Sequence, residues 1–463
     1  MWSVFLRYLA FRRLGMVVLE NLLLVCLVLN AVHIRLGIQD IEDYRLFLPQ
    51  AAFMALIFQI ILHLRDVYDF NRTHSFAQFF TRLGQALFLA TITLTFLYYL
   101  FPSLNLQIGR GVFGISLILF AVFLTVWHTM LRFWVGVRAP KFRLLILGTG
   151  RLARELVTEI LHHPEHSLAV CGFIDDDPAL LGTSIVNPRV IGLPVEIPQI
   201  VSEHKIDRVI VELQDRRGRL PLEELLLLKT HGIAIEDATS LYERITGKIA
   251  VENLKPSWMI FNSGFEVSKG MLFQKRILSL VVSTLLLLLF GPVMVLAALL
   301  IKLDTRGPVF YRQERVGQDG KIFTLFKFRS MCVGAESGTG PVWSSQGDAR
   351  VTRVGRILRR TRLDELPQIY NILRGDMSLV GPRPERPHFV KELASLIPFY
   401  HLRHAVKPGV TGWAQINYVY GNSVRDAVEK LQYDLFYIKH MSSLLDSVIL
   451  LQTIKTVLVR QGS

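Results

Sequence analysis

The spacing of apolar residues changes character several times along the chain. Four apolar stretches come first, at 14–32, 46–64, 83–101 and 112–131, each near the ~20 residues a helix needs to cross a bilayer. From about residue 140 the runs shorten. Segments 142–147, 169–174, 206–213 and 232–236 read as buried strands, with 152–161 and 222–232 as helices between them. Strands alternating with helices predict a parallel sheet covered on both faces. A fifth long apolar stretch, 277–301, contains Gly291-Pro292 at its middle. Beyond it Arg353, Arg356 and Arg360 recur at helical spacing opposite Val351, Val354 and Leu358, as in a helix lying in a headgroup layer or one with a solvated basic face. Segment 365–375 then reads as a short helix. Pro367 falls in its first turn, Leu366, Ile369 and Leu373 share a face, Gly375 stops it, and Asp364 stands where its cap is expected.

These periods predict a membrane protein in parts: an α-helical transmembrane bundle (1–138), an α/β Rossmann-like domain (139–255), a linker (256–269) and a mainly α domain (270–463) that begins with a membrane helix at 276–302. Composition agrees. The 463 residues are 51% hydrophobic, too apolar for an ordinary soluble enzyme. A net charge of +14 suits anionic headgroups or polyphosphate substrates, and no nucleic-acid-binding motif accompanies it, so nucleic acid is not an expected partner. Cys26, Cys171 and Cys332 are too scattered for a disulfide framework or a zinc site, and His401 with His404 could share a helix face.

Charge also orients the chain. Arg7, Arg12 and Arg13 precede the first span, Arg65, Arg72 and Arg82 separate the second from the third, and Arg132, Arg138, Lys141 and Arg143 follow the fourth. The positive-inside rule puts both ends of this bundle in the cytoplasm. Glu20 lies within the first span near its cytoplasmic end, where snorkelling or an arginine partner would account for it. The fifth stretch is basic at both ends, with Lys275 and Arg276 before it and Lys302 after it. A helix that enters from the cytoplasm, bends at Pro292 and returns fits that symmetry, and a straight span kinked by the proline is the equal alternative.

Two segments carry candidate chemistry. Gly148-Thr149-Gly150-Arg151-Leu152-Ala153 is G-x-G-x-x-A between a strand and a helix, the context of a dinucleotide-binding turn, with Gly148, Gly150 and Ala153 as its cofactor-binding positions. The acidic run Asp175-Asp176-Asp177 follows slightly late for a ribose contact, and no Tyr-x-x-x-Lys occurs anywhere in the chain. A regulatory or dimerising module is therefore expected rather than a redox one, and with it a homo-oligomer, a dimer. The second segment is TRLDELPQIYNILRGDMSLVGPRPE, 361–385, which sets the adjacent acids Asp364 and Glu365 after a run of arginines and before Pro382-Arg383-Pro384. From Lys302 to Asp376 fourteen Lys and Arg oppose eight Asp and Glu. A carboxylate can attack phosphorus, and two carboxylates facing a polyphosphate need a divalent cation between them. So one acid of the pair is expected to attack and the other to hold the metal.

Together KRILSLVVS…FGPV, GPVFYRQERVGQDGKIFTLFKFRSM, LRRTRLDELPQIYNILRGDMSLVGPRPE and KPGVTGWAQIN resemble the bacterial sugar transferases, the monotopic polyprenyl phosphoglycosyl transferases, over about 270–463. The preceding spans and Rossmann-like domain are similar to the family's long forms, and FLRYLAFRRLGMVVLENLLL is similar to its exosortase-associated exopolysaccharide branch. The resemblance implies a re-entrant helix at 276–302 in a monotopic catalytic domain on the cytoplasmic face of the bacterial inner membrane. It implies attack by Asp364 on the β-phosphate of a UDP-sugar, release of UMP, and transfer of the phosphosugar to polyprenyl (undecaprenyl) phosphate as the first membrane step of exopolysaccharide or glycan synthesis. Glu365 matches the family's Mg²⁺-binding acid, and Lys327, Arg329, Arg359, Pro382, Arg383 and Pro384 match its substrate-binding positions. One departure is visible: members often carry Ser-Pro at the membrane helix break, where this chain has Gly291-Pro292. Two rivals remain, a nucleotide-sugar oxidoreductase built on the glycine turn and a non-catalytic scaffold for polysaccharide export.

Overall fold

The computed structural model describes the chain except residues 1, 39, 66, 69–75, 139–141, 164–166, 213–219, 254–263, 266–267, 336–347, 349, 419–420, 422 and 460–463. Arg72 and Lys141, used above for orientation, and most of the expected linker 256–269 lie outside the described residues. The chain divides into two compact units, the first ending at Lys141 and the second holding nearly everything after it.

The first unit is four helices: α1 (Trp2–Leu36), α2 (Ile41–Leu64), α3 (Phe76–Leu100) and α4 (Arg110–Arg138). Each is longer than its apolar run because the polar flanks continue the helix beyond the hydrocarbon thickness. Small residues, Ala31, Ala51, Ala55, Ala86 and Ala90, let the helices approach, while Leu24, Phe58, Phe120 and Leu124 fill the space between them. Outside this core Leu22, Phe88 and Ile118 face outward, as lipid-facing side chains do. Glu20 corrects the sequence reading. It is 0% exposed, takes hydrogen bonds from Tyr68 Oη (2.7 Å) and Trp127 Nε1 (3.1 Å), and lies 3.6 Å from His128 Nε2. No arginine partner is needed because the bundle interior supplies donors of its own.

The second unit opens with the α/β domain. Its elements are β1 (Phe142–Leu147), α5 (Arg151–His162), β2 (Leu168–Ile174), β3 (Val190–Gly192), α6 (Ile197–Glu203), β4 (Arg208–Val211), α7 (Leu222–Thr230), β5 (Ala234–Asp237) and α8 (Ala238–Thr246). The sheet is parallel in the order β3-β2-β1-β4-β5, the Rossmann-like arrangement. Along β1 the side chains alternate between the two cores. Leu144 and Ile146 meet Leu152, Leu156 and Leu241, while Leu145 and Leu147 meet Ile197, Leu225 and Leu228.

The remainder begins with α9 (Lys269–Asp304), whose helical segment continues through Gly291 and Pro292. Interrupting it would strip several backbone groups of partners in an apolar surrounding, whereas the proline removes only one hydrogen bond. Then come the antiparallel hairpin β6 (Phe310–Val316) and β7 (Ile322–Phe328), and α10 (Arg353–Arg360), α11 (Gln368–Arg374), β8 (Ser378–Val380), α12 (Pro387–Leu396), β9 (Gly409–Thr411), α13 (Trp413–Asn417), α14 (Val424–Lys439) and α15 (Ser443–Val459). Both ends of α9 are fastened to this one domain. Near its start Lys275 pairs with Asp446 (2.5 Å) and Arg276 donates to the carbonyls of Ile372 and Leu373. Near its end Ala297 and Ile301 pack on Phe328 and Leu358. Between these anchors Leu285, Leu288, Leu289 and Val295 face outward, up to 72% exposed.

The α/β domain is welded to α14. Buried Glu243 on α8 pairs with Lys439 (2.8 Å) and His440 (2.6 Å), Lys248 pairs with Glu429 (2.8 Å), and Trp413 Nε1 donates to Gly247 O (2.9 Å) while its ring stacks on Phe436. Trp413 belongs to the GWAQIN run, so that motif serves here as a joint between domains.

Candidate active site

Asp364 does not cap a helix. It lies in a single 3-10 turn, Leu363–Glu365, and α11 starts three residues later behind Pro367. The turn follows Arg362, a non-glycine residue held at φ +59°, and Leu363 and Leu366 pack it onto the cluster of Ala297, Ile301, Phe328 and Leu358. The end of α9 therefore sets the position of the acidic pair.

The two acids have opposite surroundings. Asp364 is 8% exposed, and its carboxylate has no hydrogen-bond partner among the described residues. Burial first and the Glu365 charge second push it above the usual carboxylate range, with Lys327, Arg359 and Arg362 drawing it back. Glu365 Oε1 accepts from Lys327 Nζ (2.8 Å) and an Arg383 guanidinium nitrogen (2.7 Å). Burial pushes Glu365 up, but Arg383 and Lys327 outweigh it and hold the carboxyl well below its ordinary value. So Glu365 is held as an anion by its two cations, while the Asp364 carboxyl has no such clamp among the described residues.

The other expected site residues separate into two groups. Lys327, Arg359 and Arg383 surround the acids, and the Arg359 guanidinium on α10 has no hydrogen-bond partner among the described residues. Arg329 is buried elsewhere. Its guanidinium donates to Thr305 O (2.8 Å), Thr305 Oγ1 (2.8 Å) and Arg306 O (2.9 Å), closing the end of α9. Pro382 and Pro384 contribute carbonyls, which accept from Gly409 N (3.0 Å) and Arg315 (2.8 Å). Gly381 and Gly409 have to be glycine, because a Cβ on either would collide with backbone of the other's strand. The run 407–412 thus holds the Pro-Arg-Pro loop through the β8–β9 pair. Sequence reasoning missed Arg315 and Arg403. Both donate to carbonyls of that loop, half-buried Arg315 from β6 and buried Arg403 from the turn Tyr400–His404, and their signal, a charge amid apolar neighbours, is weak in a basic chain.

Mg²⁺ fits this donor set in one way. Oε1 of Glu365 is shared by two cations, while Oε2 accepts nothing among the described residues and is left for a metal. No cluster of three or more His, Cys, Asp or Glu ligands occurs among the described residues. The remaining ligands would be substrate phosphate oxygens and water, which is how Mg²⁺ is ordinarily held. His401 and His404 form no such site. They lie in the 3-10 turn Tyr400–His404, where burial and Arg403 bring His404 down to about 4.

The glycine turn of the α/β domain is filled by the protein itself. Gly150 N donates to Glu212 Oε2 (3.1 Å), and a Cβ at Gly150 would strike that carboxylate. Thr149 Oγ1 donates to Asp175 Oδ2 (2.6 Å), and Asp175 and Asp237 both raise Glu212, after burial. A carboxylate sits where Gly148, Gly150 and Ala153 would cradle a phosphate, among two further acids. Titrating full-length protein with NADH is expected to give no saturable binding below about 1 mM. Micromolar binding followed by NADH fluorescence would show that Glu212 swings away.

A family profile described as bacterial sugar transferase matches residues 270–460, and one described as CoA-binding domain matches 63–220. An exopolysaccharide production protein of Rhizobium leguminosarum bv. phaseoli is 40% identical over 194 residues, which is 40% of this chain and 96% of that one. The chain belongs to the bacterial sugar transferase family. Family members named by reaction are similar over longer stretches. A UDP-N-acetylgalactosamine-undecaprenyl-phosphate N-acetylgalactosaminephosphotransferase of Aeromonas hydrophila is 40% identical over 231 residues, 50% of this chain and 54% of that one. A UDP-glucose:undecaprenyl-phosphate glucose-1-phosphate transferase of Xanthomonas campestris pv. campestris is 37% identical over 286 residues, 61% of this chain and 56% of that one. The matches thus span about half the length of these two relatives. Among the described residues five helices are long and apolar enough to cross a membrane, α9 among them, which accords with membership.

Proposed function

We propose that this chain transfers a sugar-1-phosphate from a UDP-sugar to polyprenyl (undecaprenyl) phosphate, releasing UMP, as the first membrane step of exopolysaccharide or glycan synthesis. The observation that carries the reading is the contrast between the acids: a buried Asp364 whose carboxylate has no hydrogen-bond partner among the described residues, beside a Glu365 clamped by Lys327 and Arg383. An Asp364 oxygen attacks the β-phosphorus, and the bond from that phosphorus to the bridging oxygen breaks. The bridging oxygen leaves with the electron pair as part of UMP, and the phosphosugar stays on the aspartate as an acyl phosphate. An ionised oxygen of the prenyl phosphate then attacks the same phosphorus and the carboxylate departs, giving polyprenyl-diphospho-sugar. Each step exchanges one anhydride for another, so little general-base help is required. Lys327, Arg359 and Arg383 offset the phosphate charge. Mg²⁺ bound at Glu365 would supply further charge neutralisation on the diphosphate.

The test is release of UMP from UDP-glucose and from UDP-N-acetylgalactosamine, with and without polyprenyl phosphate. Turnover that needs the lipid supports the reading. Turnover that needs NAD, or none with any UDP-hexose, would favour the oxidoreductase or scaffold rivals.

On this reading the catalytic domain lies at the cytoplasmic face of the inner membrane, with α9 re-entrant. Support comes from the two anchors of α9. The twenty-one residue steps of helix from Arg276 to Ala297 would run about 32 Å if straight, yet both ends are fastened to the same compact domain. Cysteines introduced singly at Ser268 and Ser395, in a background lacking the native three, should both resist an impermeant thiol reagent applied from the periplasm. Labelling at Ser395 alone would make α9 a true span.

A further inference from the structure

Four consecutive carbonyls of the Pro-Arg-Pro-Glu run accept hydrogen bonds from elsewhere in the fold. Pro382 O takes Gly409 N (3.0 Å), Arg383 O takes Arg403 (3.0 Å), Pro384 O takes Arg315 (2.8 Å), and Glu385 O takes Val316 N (2.9 Å). Two of the four residues are prolines and offer no N–H, so this loop is held chiefly by its oxygens. The grip has a purpose the surface would not show: the side chain of Arg383, in the middle of the run, is the one that reaches Glu365.

Arg403 is the most deeply seated of these donors. It is 5% exposed, and its guanidinium donates to Tyr400 Oη (2.6 Å) and pairs with buried Asp434 (2.8 Å) while also reaching the Arg383 carbonyl. Asp434 stands on α14, the helix that carries the joint to the α/β domain. We propose that Arg403, seated on Tyr400 and Asp434, is a positioning residue for the phosphosugar transfer: it fixes the Arg383 backbone so that the Arg383 side chain holds Glu365. Arg403 touches neither substrate nor reacting atoms; it acts through Arg383. The proposal rests on the reaction given above.

Lysine is the informative replacement. Arg403→Lys keeps the charge against Asp434, but one ammonium cannot reproduce a planar fork shared among a carboxylate, a hydroxyl and a carbonyl. Two measurements are needed on the full-length, membrane-inserted protein. The first needs no substrate: phenylglyoxal modification of each arginine, followed by mass spectrometry. Arg383 should be modified several-fold faster in the variant, with Arg353 on α10 unchanged. The second is steady-state UMP release with UDP-glucose and with UDP-N-acetylgalactosamine. There kcat/KM should fall roughly ten- to a hundred-fold, the cost of a misplaced contact of this size, and the Mg²⁺ midpoint should move. In an Arg383→Ala background, Arg403→Lys should add less than about two-fold, since the two act along one path.

An unchanged modification rate at Arg383 would overturn the clamp. Faster modification with wild-type kinetics, or a kinetic loss that adds in full to that of Arg383→Ala, would leave Arg403 a merely structural residue. Tyr400→Phe removes only the hydroxyl seat and should shift both readouts in the same direction by less, which keeps the proposal testable should the lysine variant fold poorly. If the wild type releases no UMP from any UDP-hexose, the functional reading falls and takes the positioning role with it, while the modification experiment still reports the clamp.

Discussion

Asp364→Asn is expected to abolish phosphosugar transfer, with a loss of at least about a thousand-fold, because an amide cannot form the acyl phosphate. Its fold should be undisturbed. The carboxylate has no hydrogen-bond partner to lose among the described residues, and burial raises it, so its ionised form is a net cost to the native state. Removing that charge should leave the melting temperature at pH 7 unchanged or slightly higher. Mass spectrometry of protein mixed with a UDP-sugar should find a phosphosugar adduct on the peptide containing residue 364 in the wild type and none in the variant. An adduct on another residue, or turnover by the variant, would reassign the nucleophile.

Glu365→Gln should behave oppositely in stability and similarly in activity. Lys327 and Arg383 hold the Glu365 carboxyl below its unfolded value, so its ionised form stabilises the fold above the ordinary glutamate range, and that stability is lost as pH falls through the depressed value. Glutamine leaves both cations facing a neutral amide in a mostly buried place. A loss of about 2–3 kcal/mol is expected, seen as a lower melting temperature at pH 7 that converges with the wild type in acid. Activity should fall and the Mg²⁺ titration shift. An unchanged metal titration would remove Glu365 from the metal site. The two neighbouring carboxylates are thus separable by one thermal melt each, before any enzymology.

Glu20 and the Asp364 cap show how much of this protein a one-dimensional reading can reach. The four spans, the strand–helix alternation and the long apolar helix were all legible, since each depends on the period of side chains within one element. The acidic pair and its basic company were legible too, because those residues are close in sequence. Arg329 was not. Two positions from Lys327 on the same segment, it points into the end of α9 while Lys327 reaches Glu365, and only the packing of the hairpin against α9 separates those destinations. The G-x-G-x-x-A turn likewise formed where expected, yet Glu212, 62 residues downstream of Gly150 and just past the neighbouring strand's end, fills its cradle.

Periodicity and composition along the chain specify the membrane helices, the α/β alternation and the basic surroundings of Asp364 and Glu365. Hydrophobic period and local charge are properties of neighbours in the chain, and burial acts on them wherever the chain folds. Tertiary packing fixes that Glu365 is clamped while Asp364 has no hydrogen-bond partner among the described residues, that Arg383 is held through its own carbonyl by Arg403, and that Trp413 joins two domains. Those outcomes depend on distance and desolvation between residues 18 to 166 positions apart, where Coulomb and hydrogen-bond energies are set by geometry that no sequence period encodes.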